Sequence, residues 1–194
     1  MGEQTGRAFV LCGPTAVGKD TVLKELLKKI DKVWLSISAT TRQPRPGEVD
    51  GKDYYFVDEK HFLELVTNGE MLEWAKVHGH YYGTPRPPVT QALASGQDVI
   101  LEIDLGGARQ VRKSLPQAVQ IFLAPPSWEE LKKRLRGRGT EDAAEQKIRL
   151  ATAKTELAAQ DEFDYVVIND AVANATSKIL HIINNCEYNK AVHS

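Results

Sequence analysis

The chain has 194 residues, enough for one sizeable hydrophobic core and too few for several independent domains. Its formal net charge is −1 with 26% charged residues, so no global field draws it toward nucleic acid or an anionic membrane. No apolar run approaches a membrane span, and the polar start, Met1 to Arg7, does not read as a signal peptide, so a cytoplasmic location is expected.

Ala8-Phe9-Val10-Leu11-Cys12 reads as a short buried strand, and Val22, Leu23, Leu26, Leu27 and Ile30 recur at helical spacing after it. Between them stand Gly13, Pro14, Thr15, Ala16, Val17, Gly18, Lys19 and Asp20, followed by Thr21. Two glycines before a lysine let the backbone curl so that its N–H groups face phosphate oxygens, and strand, glycine loop and helix is the context such a loop requires. Lys19 supplies a point charge to terminal phosphates, and the helix N-terminus adds its dipole.

The last position of this pattern is usually a hydroxyl that holds Mg²⁺, and here it is Asp20. Thr21 is no substitute, because one step along a helix turns a side chain by about 100°. Either the Asp20 carboxylate ligates the metal, directly or through water, or it repels the phosphates and leaves the metal to Glu102 or Asp104. The first reading is preferred, since a buried uncompensated carboxylate beside phosphates is costly.

Further strands are expected at Val33–Ser38, Val99–Asp104, Val119–Ala124 and Tyr165–Asn169, with helices between them. That alternation predicts a mostly parallel sheet covered on both faces. Residues 39–88 break the rhythm: they hold five of the nine prolines, a helix at Glu59–Asn68, and a hairpin, Met71–Val77 and His80–Thr84, about a tight His78-Gly79 turn. Residues 127–160 read as helical, opened by a Ser127/Glu130 capping box and interrupted at Arg136-Gly-Arg-Gly139, as suits a mobile flap. Cys12 and Cys186 read as small hydrophobes rather than metal ligands or a disulfide, and the five histidines (61, 78, 80, 181, 193) have no metal spacing.

The insertion carries the run Ser38-Ala-Thr-Thr-Arg42-Gln-Pro-Arg45-Pro-Gly47-Glu48-Val-Asp-Gly51-Lys-Asp-Tyr54-Tyr-Phe56. Two arginines three apart, stiffened by Pro44 and Pro46, form a preorganised clamp for a dianion, because guanidinium forks match phosphate oxygens. Tyr54 and Tyr82 could add hydroxyl donors. Glu73 stands in an otherwise apolar strand, Met71-Leu-Glu-Trp-Ala. It is either an ordinary outward-facing residue, which the bulk of such positions favours, or a recognition group. Guanine offers two adjacent N–H donors that one carboxylate can accept, whereas adenine would face it with an acceptor.

With these pieces, the E-W and Y-Y-G-T segments of the hairpin, and the APPS…L-x-x-R-L-x-x-R-G-T-E stretch, residues 8–170 resemble guanylate kinase. The resemblance implies a P-loop NTPase three-layer α/β fold: a five-stranded parallel core, a small mixed GMP-binding insertion and a helical lid. The corresponding division is core 1–37, GMP-binding domain 38–88, core 89–126, lid 127–160 and core 161–194. It implies transfer of the γ-phosphoryl of ATP to GMP, and to dGMP, with Mg²⁺, by a monomer or small homo-oligomer that needs no nucleic acid or membrane.

Carried over residue by residue, Arg42, Arg45, Tyr54 and Tyr82 match GMP-phosphate ligands, and Ser38, Glu73 and Thr84 match guanine contacts. Glu102 and Asp104 match an acidic pair facing nucleotide and metal, with Glu102 a mild departure from the usual Asp. Arg134, Arg138 and Arg149 match lid arginines around ATP and the transferring group, and Asn169-Asp170 resembles the adenine-side loop. Lys19, Arg45, Arg138 and Arg149 are thereby the catalytic candidates, and Asp20 and Asp104 the candidate metal ligands. Arg134 also forms an i,i+4 pair with Glu130 that would decorate any exposed helix. Two alternatives stand beside this reading. One is a guanylate-kinase-like binding module, from which the P-loop lysine is characteristically lost, whereas Lys19 is present. The other is a related ribose bisphosphate phosphokinase, which shares the aspartate after that lysine but lacks the full arginine-proline run.

Overall fold

The computed structural model describes residues 5–136 and 143–186. The expected Arg136-Gly-Arg-Gly139 break, with Arg138, falls outside or at the margin of these residues. In chain order the elements are β1 (Ala8–Cys12), α1 (Lys19–Leu27), β2 (Val33–Leu35), β3 (Ala39–Thr40), β4 (Tyr55–Phe56), α2 (Glu59–Thr67), β5 (Met71–Val77) and β6 (His80–Pro85). There follow α3 (Arg86–Ala94), β7 (Asp98–Glu102), α4 (Leu105–Ser114), β8 (Val119–Ala124), α5 (Trp128–Arg136), α6 (Ala143–Ala158), a 3-10 turn (Gln160–Glu162), β9 (Tyr165–Ile168) and α7 (Val172–Asn185).

Five strands form one sheet in the order β2-β7-β1-β8-β9, with β2–β7 and β8–β9 paired in parallel. This is the α/β architecture expected from the alternation of strands and helices. The chain clusters into two compact units, Met1–Phe9 with Lys32–Ala118 and Val10–Asp31 with Val119–Ser194, and the division falls inside β1. Every residue of β1 is buried, as are Ile121 to Ala124 of β8, so these strands read as continuous apolar runs.

The first unit carries a second sheet, β4-β3-β6-β5, in which β3 pairs parallel to β4 and antiparallel to β6. The segment expected as one strand, Val33–Ser38, stops at Leu35, and the chain then enters β3 in this other sheet. The β5–β6 hairpin forms where expected: His78 and Gly79 both take left-handed backbone, φ 48° and 85°, the geometry of a two-residue turn that matches strand twist. Ala39, Phe62 and Met71 form its small core, with Phe62 stacked on Tyr81 at 5.4 Å. Helix α2 begins where Asp58 accepts the N–H of His61 at 2.7 Å, satisfying one of the amides a helix start leaves open.

In the second unit α1 packs on α7, and Leu131, Leu135 and Ala153 join α5 to α6. The expected cap of α5 is present as Glu130 N–H donating to Ser127 Oγ at 3.1 Å. Glu130 Oε1 takes Arg134 instead of completing a reciprocal box. Strand β9 lies at the sheet edge and leaves Tyr165, Val166 and Ile168 exposed, less covered than its apolar run suggests. Cys12 and Cys186 form no disulfide, and no described helix is long and apolar enough to cross a membrane.

Candidate functional site

The phosphate loop is a backbone device. A Cβ on Gly13 would stand 2.3 Å from the carbonyl oxygen of Leu123, so only glycine allows the chain to pass β8 there. Gly18 has φ 101°, and a Cβ on it would stand 2.8 Å from Asn169 Nδ2. Ala16 is also left-handed, φ 66°, a conformation that costs a non-glycine residue about 1–2 kcal/mol and persists only when its surroundings hold it. They do so at the next residue. Val17 is buried, and its carbonyl oxygen accepts from Asn169 Nδ2 at 2.8 Å and from Arg134 Nη1 at 3.2 Å.

Asn169 and Arg134, both expected on the ATP side, thus brace the loop's main chain, and Arg134 Nε also holds Glu130 at 3.1 Å. Lys19 folds across the loop and donates its Nζ to Gly13 O at 2.7 Å. Asp20 lies exposed in the first turn of α1, so the burial cost behind the ligand reading does not arise in this structure, and among the described residues no hydrogen bond or ion pair engages its carboxylate. A hard oxygen donor at that place suits a divalent cation whose remaining ligands are phosphate and water oxygens. No cluster of three or more His, Cys, Asp or Glu among the described residues forms a metal cage made of protein alone. Arg149 is half-buried on α6, and Arg138 lies outside the described residues.

The first unit holds a cavity of about 280 Å³ lined by Ser38, Tyr54, Glu73, Tyr82, Glu102 and Asp104 among others. Six of the nine residues expected around the acceptor nucleotide therefore meet at one place. Glu73 is only 7% exposed, against the general expectation for a strand carboxylate, and accepts the Thr84 hydroxyl at 2.7 Å. Burial pushes its carboxyl from 4.5 up to about 7. The Thr84 hydroxyl opposes that shift and the Asp104 charge adds to it. Thr84 itself is fully buried, so its observed role is to hold Glu73. Asp104 caps α4 through Oδ1, which accepts Gly107 N–H at 2.7 Å.

The two arginines differ. Arg42 is locked: both Nη atoms bond Glu48, each at 2.9 Å, and its guanidinium lies over the Tyr54 ring at 5.4 Å and the Phe56 ring at 5.9 Å. The Glu48 hydrogen bond raises the Arg42 pKa further, and Arg42 in turn holds the Glu48 carboxyl below the usual range. Glu48 Oε2 also accepts the backbone N–H of Arg45 at 2.7 Å, which fixes the turn. Among the described residues the Arg45 guanidinium makes no hydrogen bond or ion pair, only a longer-range attraction to Glu48, so its donors are available for an anion. Desolvation raises the pKa of Tyr54, keeping its hydroxyl a neutral donor.

The guanylate kinase family model matches residues 5–186. The chain belongs to the guanylate kinase family. It is 55% identical over 181 residues to the guanylate kinase of Thermobifida fusca (strain YX), covering 93% of this chain and 92% of that one. It is 50% identical over 184 residues to that of Mycobacterium sp. (strain MCS), covering 94% and 93%. A crystal structure of guanylate kinase from Anaplasma phagocytophilum superposes with a TM-score of 0.75 at 34% identity, covering 97% of this chain and 89% of that one. The fold is accordingly that of a P-loop NTPase.

Within this guanylate kinase fold, Glu48 has a bracing role that its place in the arginine-proline run, three residues after Arg45, does not announce. Gln110 and Ser114 are equally unmarked in the sequence, because their partners in β5 lie 36 and 42 positions away and leave no local signal.

Proposed function

We propose that this chain is an ATP:GMP phosphotransferase, a nucleoside monophosphate kinase that makes ADP and GDP and also accepts dGMP. The observation that carries the acceptor assignment is Glu73, a buried carboxylate lining a cavity whose other walls carry tyrosine hydroxyls and acids. As a carboxylate it can accept both N–H groups of guanine's Watson–Crick edge, and the same oxygens would meet an unpaired acceptor on adenine.

Phosphoryl transfer asks the protein for alignment and charge neutralisation more than for covalent chemistry. The loop amides and Lys19 hold the phosphates of ATP, with Lys19 exchanging Gly13 O for a phosphate oxygen. Arg42, presented rigidly by Glu48, and Arg45, with its guanidinium donors available, hold the GMP phosphate together with Tyr54 and Tyr82. No general base is required, because the acceptor phosphate is already an anion. Arg138 and Arg149 are assigned to the transferring group and Arg134 to the ATP loop, in a lid spanning residues 127–160. Ser38 and Thr84 serve the guanine end, Thr84 through Glu73, and residues 38–88 form the GMP-binding domain.

Family membership makes ATP the donor; Mg²⁺ as its companion is part of this proposal. Mg²⁺ held there would supply charge neutralisation at the phosphates of ATP. Asp20 is the preferred ligand, with Asp104 the second candidate. The proposal places the enzyme in the cytoplasm as a monomer or small homo-oligomer.

Coupled ADP-release assays with GMP, dGMP, AMP and sugar phosphates in parallel test this reading. GMP turnover at least a hundredfold above AMP is expected. ADP release with a sugar bisphosphate precursor but not GMP would overturn it, as would GMP binding without turnover.

A further inference from the structure

Strand β5 is the outer strand of its sheet, so one edge of its backbone has no strand partner among the described residues. The α4 helix covers that edge at the positions flanking Glu73. The Gln110 side-chain amide takes both main-chain groups of Trp74: its Oε1 accepts the Trp74 N–H at 3.1 Å, and its Nε2 donates to the Trp74 carbonyl at 2.9 Å. It thereby stands in for a neighbouring strand. One turn on, Ser114 Oγ donates to the Leu72 carbonyl at 2.7 Å, where a bulge interrupts the β5–β6 register between Met71 and Glu73. One turn before, Gly107 faces the carboxylate itself: a Cβ there would stand 2.9 Å from Glu73 Oε2.

Positions 107, 110 and 114 share one face of the helix. Its start is fixed by Asp104, which lines the cavity and caps Gly107 N. The register of the helix is therefore tied to the cavity wall, and the strand is tied to the helix on both sides of residue 73.

We infer that Gln110 and Ser114, with Gly107 as the seat, are positioning residues that set where the Glu73 carboxylate meets the base, and so set the enzyme's selectivity for the 2-amino group of guanine. This rests on the proposed role of Glu73. The chemical reason is that a carboxylate accepting two parallel N–H groups loses its advantage when displaced by a few tenths of an ångström, and β5 can shift at its bulge unless both flanking carbonyls are held.

The test compares equilibrium binding of GMP with that of inosine monophosphate, which lacks the 2-amino group, alongside kcat and the KM for ATP. Gln110→Met keeps volume and helix propensity while removing both bonds. It is expected to lower the GMP-to-IMP binding ratio about fivefold, with the KM for ATP within about twofold of wild type. Gly107→Ala is expected to lower the ratio further, because its Cβ displaces the carboxylate directly. Lys113→Met, on the exposed side of α4, is expected to change nothing. An unchanged ratio in Gln110→Met and Gly107→Ala overturns the inference. So does equal weakening of GMP and IMP with a lowered melting temperature, which marks a purely structural role. Failure of the Glu73 assignment itself reads differently: Glu73→Gln would then leave the ratio at its wild-type value.

Discussion

The phosphate loop and the base pocket solve recognition in opposite ways. Between Gly13 and Lys19 the ligand surface is main chain, and the two glycines are needed for conformation and close approach rather than for any chemistry of their own. In the cavity the surface is mostly side chains drawn from Ser38 to Asp104, and Glu73 there is held by a neighbour, Thr84, as Arg42 outside its lining is held by Glu48. A backbone device reads a phosphate, which every nucleotide carries. In the proposed function a side-chain pocket reads the base, which distinguishes them. The contrast predicts that damage to the loop spares acceptor affinity, while damage to the pocket spares donor affinity.

The largest effects come from the charges nearest the transferring group. Lys19→Met is expected to lower kcat by about a thousandfold with GMP binding within about twofold, and Arg45→Ala to lower kcat comparably with the KM for ATP nearly unchanged. Steady-state kinetics on both substrates checks the crossing. Wild-type turnover in Arg45→Ala would remove that residue from the mechanism.

Next is Glu73, where stability and function pull apart. Its carboxyl is raised from 4.5 to about 7, so between those values the folded chain binds a proton that the unfolded chain does not. Stability therefore falls as pH rises through that window, and above it the buried charge is a standing cost. Glu73→Gln is expected to stabilise the protein by about 1–3 kcal/mol at pH 8, measured by urea unfolding, while lowering kcat/KM for GMP by about a hundredfold. In the wild type the KM for GMP is expected to rise about tenfold per pH unit below 7, with the KM for ATP flat from pH 6 to 8. A flat GMP profile would show that the base does not need the carboxylate.

Smaller effects test the supporting contacts. Glu48→Gln is expected to raise the KM for GMP about three- to tenfold by loosening Arg42, without changing the KM for ATP. Asp20→Ser is expected to raise the Mg²⁺ concentration for half-maximal activity about two- to fivefold. A marked gain in activity with serine would show that Asp20 hinders the site instead of ligating the metal.

The phosphate loop was legible in the sequence because its geometry is local. Two glycines, a lysine, a strand before and a helix after all lie within about twenty residues, and the hairpin turn at His78-Gly79 is local in the same sense. The arginine-proline run identified the family for a related reason, since Pro44 and Pro46 limit the backbone that carries both arginines. The strand position of Glu73 was equally readable, but its burial was not. Alternation along β5 leaves its orientation open, and the outward-facing reading is the usual one for such a position.

What only the tertiary structure decided is which neighbour each polar group acquires. Thr84 turned out to hold Glu73, Asn169 and Arg134 to brace the carbonyl of Val17, and Gln110 and Ser114 to close the open edge of β5. Sequence alone determined the nucleotide-binding chemistry, because that chemistry follows from short-range backbone conformation. The pairing of buried polar groups is settled by packing between segments far apart in the chain, where no spacing rule reaches.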